Sequence, residues 1–213
     1  MREDVFMGAL IASVSHELLN VLATIHQSSG LMDDLMGAGA RKSLFGLGMK
    51  TEFVHHDKFK SIIATIGQQV DRGMALSEAL NTLGHAPEQG PQAQCDLWEA
   101  ARSTLCLAER LSRKRRVRFM LRKPQARVLA GLGQLWAMMA IYEAMETLLA
   151  TIKETEVEIT IEKAPTGPVM RFETNLAGLD LAAREMALCG LVVRLEPTGN
   201  GLTLVFPPEG SSI

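Results

Sequence analysis

The residues with the clearest chemical potential in this 213-residue chain lie near its start. His16 is followed at once by Glu17, and Asn20 stands one helical turn further on. Around them apolar residues recur at Met7, Ile11, Val14, Leu18, Val21, Ile25, Met32 and Leu35, in steps of three and four broken only at Ser28. That is an a/d heptad seam, the pattern of a helix packed into a left-handed bundle. With Ile11 at a and Val14 at d, His16 falls at f, farthest from the seam, so its ring is expected in water with Asn20 on the same outward side. An imidazole so placed can accept a phosphoryl group. A ring nitrogen attacks phosphorus in line, the Glu17 carboxylate takes or polarises the ring proton, and the Asn20 amide orients a water for the reverse hydrolysis. By spacing alone, the same residues also read as a plain surface histidine with polar neighbours.

The elements that must position these residues follow from pattern and punctuation. From residue 4 to about 84 there is no strand pattern and no proline, Pro87 being the first, so long helices are expected. A glycine-bearing segment, Gly37-Ala38-Gly39 through Gly46 and Gly48 to His55-His56, reads as the loop between two of them. The second helix carries Phe59, Ile63, Ile66, Val70, Met74, Leu80 and Leu83. Two helices alone leave too much apolar surface uncovered, so the hairpin is expected to pair with a copy of itself as a four-helix dimer. Pro87, Gly90 and Pro91 end the hairpin in a linker, His85 to Pro91. Beyond it come an amphipathic helix from Asp96 to Leu111, a basic segment, a long helix from about Gly133 to Ile152, and strand-like runs. Those runs are Val157 to Ile161, Val169 to Glu173, Val192 to Leu195 and Leu202 to Phe206. The expected class is α+β, with a hairpin domain over 1–86 and a second domain over 92–213.

Composition excludes several classes. Lys and Arg number 22 against 24 Asp and Glu, a net charge of −2, which argues against bulk attraction to nucleic acid or anionic lipid. The basic cluster Arg110, Arg113, Lys114, Arg115, Arg116, Arg118, Arg122 and Lys123 is offset by acids elsewhere, so no nucleic-acid partner is expected. No apolar run near the roughly 20 residues of a membrane span is expected, and no export signal. Cys95, Cys106 and Cys189 show no CxxC spacing and read as small buried residues in a reducing cytosol, hence a cytoplasmic location. His55-His56-Asp57 makes a poor tetrahedral site, so no metal centre is expected, and Asp57 reads as a cap for the second helix. The twelve methionines fall mostly at core spacing.

The run Ser13-Val14-Ser15-His16-Glu17-Leu18-Leu19-Asn20-Val21-Leu22-Ala23-Thr24-Ile25 resembles the H-box of sensor histidine kinases, usually S-H-E-[LIF]-x-N-P-L. Val21 stands where that family usually has proline, which removes a kink and leaves the chemistry in place. Gln69-Val70-Asp71-Arg72-Gly73 and Leu80-Asn81-Thr82-Leu83-Gly84-His85 resemble the closing helix of the family's dimerisation and phosphotransfer domain. The resemblance implies His16 as phosphoacceptor, Glu17 as general base, Asn20 as the group orienting water or receiver, and Ser13, Leu19 and Ala23 among the partner-contacting positions.

The second half resembles the family's catalytic and ATP-binding domain with its nucleotide chemistry missing. Asp96 to Leu111, Ser112 to Phe119 and Gln134 to Met145 match its first helix, its basic turn and strand, and the helix that should carry a magnesium-binding Asn. No Asn occurs between Thr82 and Thr174. Thr174-Asn175-Leu176-Ala177-Gly178 stands where the family has Asp-x-Gly-x-Gly, so Thr174 replaces the adenine-binding Asp and Leu176 the first glycine. Gly178-Leu179-Asp180-Leu181-Ala182 then resembles the second glycine box, which opens a helix in the family, with Asp180 bringing a carboxylate where phosphates would sit. The two boxes abut and leave no residues for a lid.

A histidine acceptor without ATP chemistry is the arrangement of dimeric histidine phosphotransferases. The resemblance therefore implies a homodimeric phosphorelay component of two-component signalling that exchanges phosphate with response-regulator receiver aspartates, with no cofactor of its own and magnesium supplied by the receiver. It implies no ATP-dependent autophosphorylation, and the second domain as a docking wall. With the helix beginning at residue 4, no sensor segment is expected. A kinase core or fragment with residual ATP binding, and a non-enzymatic pseudokinase adaptor, stay open as alternatives.

Overall fold

The computed structural model describes the backbone of residues 2–45 and 56–210, and their side chains except those of 37–45. Helix α1 runs Glu3–Phe45 with Glu3 and Asp4 in its first turn, where carboxylates favour the helix dipole. Helix α2 runs His56–His85, with Asp57 in its first turn. The loop expected from Gly37 begins later than the glycines suggest, because α1 continues through Gly37, Ala38 and Gly39 to Phe45. Glycine in a helix interior costs about 1 kcal/mol against alanine, too little to stop a long proline-free helix. The remainder of that expected loop, Gly46 to His55, lies outside the described residues.

The chain divides into two compact units: Val14–Ser77, and Met1–Ser13 with Glu78–Ile213. The outermost turns of both long helices thus belong to the same unit as the second half of the chain.

The buried line along α1 is Phe6, Leu10, Val14, Glu17 and Val21, and α2 buries Ile62, Leu76, Ala79 and Leu83. Of the expected seam, Val14, Val21 and Leu83 lie on these lines, whereas Ile11, Ile63, Val70 and Met74 are 44–67% exposed on the single chain, because each helix carries two adjoining apolar stripes and the line buried within the chain lies about one residue round from them. By length and composition α1 is apolar enough over Glu3–Met36 to cross a membrane, with a mean hydropathy of 1.6 in its richest window. The expected absence of such a stretch is therefore corrected, although a helix packed in a protein core has the same composition.

In the other unit, a 3-10 turn at Ala86–Gln89 opens at Pro87 and closes at Gly90, whose φ is 76°. A short strand β1 (Cys95–Asp96) leads into α3 (Leu97–Leu107), capped by the Asp96 carboxylate accepting from the Trp98 N–H at 2.9 Å. The single helix expected from Asp96 to Leu111 breaks at Ala108, and α4 spans Glu109–Arg115. Strands β2 (Arg118–Leu121) and β3 (Leu129–Ala130) precede α5 (Gln134–Thr151). The remaining strands are β4 (Glu156–Ala164), β5 (Gly167–Thr174), β6 (Arg184–Leu188), β7 (Leu191–Thr198) and β8 (Gly201–Val205).

Six strands form a mixed sheet in the order β2-β4-β5-β8-β7-β6, parallel only between β2 and β4. Period-two alternation buries Val157, Ile159, Ile161, Met170, Phe172, Val193, Leu195, Leu202 and Leu204 on one face. Glu156, Glu158, Glu162, Arg194 and Glu196 stand exposed between them. Helix α5 is buried on nearly all sides, as its almost unbroken apolar sequence requires. The architecture is α+β, as expected; of the six strands the pattern did not predict β2, expected only from the resemblance, or β6.

Candidate functional site

His16 is exposed on α1, and Asn20 is exposed one turn later. The Thr24 hydroxyl donates to the Asn20 carbonyl at 2.9 Å, within the helix. Leu19, at 63% exposure, and Ala23 complete an outward strip around the imidazole. Ser13, named with them as a partner-contacting position, is instead buried at 8% exposure and offers a partner little surface.

Glu17 departs from the picture of a carboxylate flanking the ring in water. A helix turns 100° per residue, so neighbours face different ways, and Glu17 sits on the buried line between Val14 and Val21 at 2% exposure. Its carboxylate accepts from Arg72 Nη2 on α2 at 2.5 Å. Arg72 carried no role in the sequence reading. The available signal was its position four residues before Leu76 and seven before Ala79, which puts a cation on the buried side of α2.

In the other unit, Thr174, Leu176, Gly178 and Asp180 lie at the end of β5 and in the irregular segment after it. The Thr174 hydroxyl accepts from the Leu176 N–H at 3.0 Å and lies 3.0 Å from the Asn200 carbonyl, to which it donates. The Gly178 N–H donates to the Gly199 carbonyl at 2.8 Å. The turn they meet is held against β5 by Gly201, where a Cβ would stand 1.8 Å from the Phe172 carbonyl oxygen. The polar groups of the first box are therefore engaged within the chain itself. Gly178-Leu179-Asp180 opens no helix, contrary to its resemblance to the second box. The chain stays irregular to residue 183 and enters β6, an edge strand whose Arg184 pairs with Glu143 of α5.

A cavity of about 210 Å³ between β6 and α5 is lined by Met139, Glu143, Arg184, Met186 and Leu188 among others. Its lining holds two acids, Glu143 and Glu185, and one base, Arg184, which pairs with Glu143. On the same helix, burial and the nearby Glu143 charge push the Glu146 carboxyl up. Burial, with Glu146 beside it, pushes the Tyr142 phenol up to about 12.

No protein-family profile and no curated protein matches the chain. Solved structures do. The chain is similar to the Acinetobacter baumannii histidine kinase AdeS, at 13% identity over 84% of this chain and 95% of that one, with a TM-score of 0.43. It is similar to a bacterial phosphotransferase at 12% identity, covering 96% and 97% of the two chains, with a TM-score of 0.47. It is also similar to the histidine kinase ThkA, solved in complex with the response regulator protein TrrA, at 16% identity over 96% and 62%, with a TM-score of 0.39.

The remaining candidates resolve into ordinary roles. In the basic segment Arg113 pairs with Glu109 at 2.7 Å, Arg116 with Glu154 at 3.0 Å and Arg118 with Glu156 at 3.6 Å. Among the described residues no three metal-ligating side chains cluster, and His55 lies outside that set. Cys95 is buried, and burial with the neighbouring Asp96 charge pushes its thiol up to about 12. Cys189, expected to be buried, is exposed in the turn between β6 and β7 with a φ of 50°.

Proposed function

We propose that this chain is a phosphorelay protein of two-component signalling, carrying a phosphoryl group on His16 and exchanging it with the aspartates of response-regulator receiver domains. It does so as a cytoplasmic homodimer without ATP-dependent autophosphorylation. The observation that carries this reading is the exposure of His16 on α1 within a strip that also presents Leu19, Asn20 and Ala23. A receiver can bring its aspartyl phosphate to such a strip in line with the ring.

In the forward step an imidazole nitrogen forms the P–N bond as the P–O bond to the receiver aspartate breaks, and the aspartate leaves as a carboxylate. The Glu17 carboxylate takes or polarises the proton on the other ring nitrogen, and Asn20 orients the receiver or, for hydrolysis, a water. A bound receiver's magnesium neutralises charge on the phosphoryl oxygens. The hydrogen bonds that engage Thr174, Leu176 and Gly178 within the chain, where the resemblance would place nucleotide-binding groups, support a carrier over a kinase.

The test is phosphotransfer profiling with receivers loaded from acetyl phosphate, with ATP and magnesium alone as the control. Label on the unaltered chain, none on His16→Ala, and none from ATP alone are expected. Failure of every receiver of the source cell to transfer would sink the proposal, and labelling from ATP alone would replace it with a kinase.

A further inference from the structure

The buried line of α1 reads Leu10, Val14, Glu17, Val21, an apolar row with a carboxylate in it. A leucine at position 17 would complete the row with no charge to desolvate. Instead the chain places an acid 2% exposed there and brings Arg72 from 55 residues away to within 2.5 Å of it. A carboxylate that deep stays charged only with a countercharge and hydrogen bonds. The pair is immediately next in sequence to His16, and it holds the Glu17 side chain by its far end.

Resting on the acceptor role of His16 proposed above, we infer that Arg72 is a positioning residue for phosphoryl transfer at His16, acting through Glu17. Arg72 fixes the Glu17 carboxylate at one place on the buried side of α1, next in sequence to the acceptor, as the base for the proton leaving the ring. Its removal therefore lowers the rate of P–N bond formation through the loss of a competent carboxylate.

The probe is phosphoramidate, which needs no receiver: its P–N bond breaks as the bond to the imidazole forms, and ammonia leaves. Labelling at His16 is resolved from other histidines with His16→Ala as the blank, and each variant's melting temperature is recorded alongside. Arg72→Gln and Glu17→Gln are each expected to slow labelling by about tenfold or more, the lower part of what a positioned base contributes. Arg72→Lys, which keeps a cation, is expected to recover most of that loss. The exchange Glu17→Arg with Arg72→Glu restores the ion pair and the melting temperature but leaves labelling slow, because the carboxylate now starts from α2.

Recovery of labelling together with stability in the exchanged pair would show a purely structural bridge and overturn the inference. So would labelling of Arg72→Gln at the unaltered rate. If the variants behave as expected with phosphoramidate while no receiver transfers, the partner reading alone has failed. A His16 no more reactive than the exposed His26 overturns both.

Discussion

The Trp136 indole N–H donates to Glu3 Oε1 at 3.0 Å, tying the first turn of α1 to α5. One turn on, Phe6 meets the Tyr142 ring edge to face with centroids 5.5 Å apart, and Phe6 and Leu10 are fully buried. The helix that carries His16 therefore begins inside the core of the unit that holds the sheet.

Phe6→Ala should accordingly destabilise that unit by about 3–5 kcal/mol, the cost of emptying a well-packed aromatic site. Urea unfolding followed by the fluorescence of Trp136 and Trp98 reads it. A loss below about 1 kcal/mol would mean that the start of α1 frays and packs little. Trp136→Phe, which removes the hydrogen bond and part of a buried ring, should cost more than about 1 kcal/mol.

The Glu17–Arg72 pair predicts a non-additive pattern in stability. Arg72→Ala strands the buried Glu17 carboxylate and should cost about 3–5 kcal/mol, Glu17→Ala leaves the half-exposed Arg72 and should cost less, whereas Glu17→Leu with Arg72→Met should be near neutral or stabilising. Thermal unfolding of the three variants checks it. Additive losses would place the pair in water.

The outward apolar residues Ile63, Val70 and Met74 share one face of α2 by their spacing and are 44–67% exposed. Light scattering is expected to give twice the chain mass of 23.2 kDa. Ile63→Glu with Val70→Glu should yield a monomer, because like charges cannot be buried in a bundle seam. A double variant that remains a dimer would move the interface elsewhere.

Cys95 and Tyr142 make stability depend on alkaline pH. Each is neutral when protonated, and burial raises each to about 12 from ordinary values of 9.0 and 10.0. The fold therefore favours the protonated forms. Their contribution is complete below pH 9, and it is lost as pH rises towards 12, on the order of 4 kcal/mol for Cys95. Urea midpoints measured across that range should fall, and Cys95→Ala should flatten the part that starts near pH 9.

Much of this was legible in the sequence. Steps of three and four placed His16 and Asn20 outward, the break at Pro87 ended the hairpin, and alternation found four of the five long antiparallel strands. Strand β6 escaped because Arg184-Glu185-Met186-Ala187-Leu188 offers only two buried residues and is enclosed by no proline. Its resemblance to a box that opens a helix pointed the wrong way, since the strand is decided by pairing with β7.

By itself the sequence determined the two long helices, the outward histidine and the missing asparagine, because helix period and residue identity are local properties. Only the tertiary structure decided which of two adjoining apolar stripes turns inward, and so which residue of the pair His16 and Glu17 is buried. It alone joined Glu17 to Arg72 and laid β6 over α5. Each of these depends on partners tens of residues away, and no periodicity within one helix can encode which neighbour will cover it.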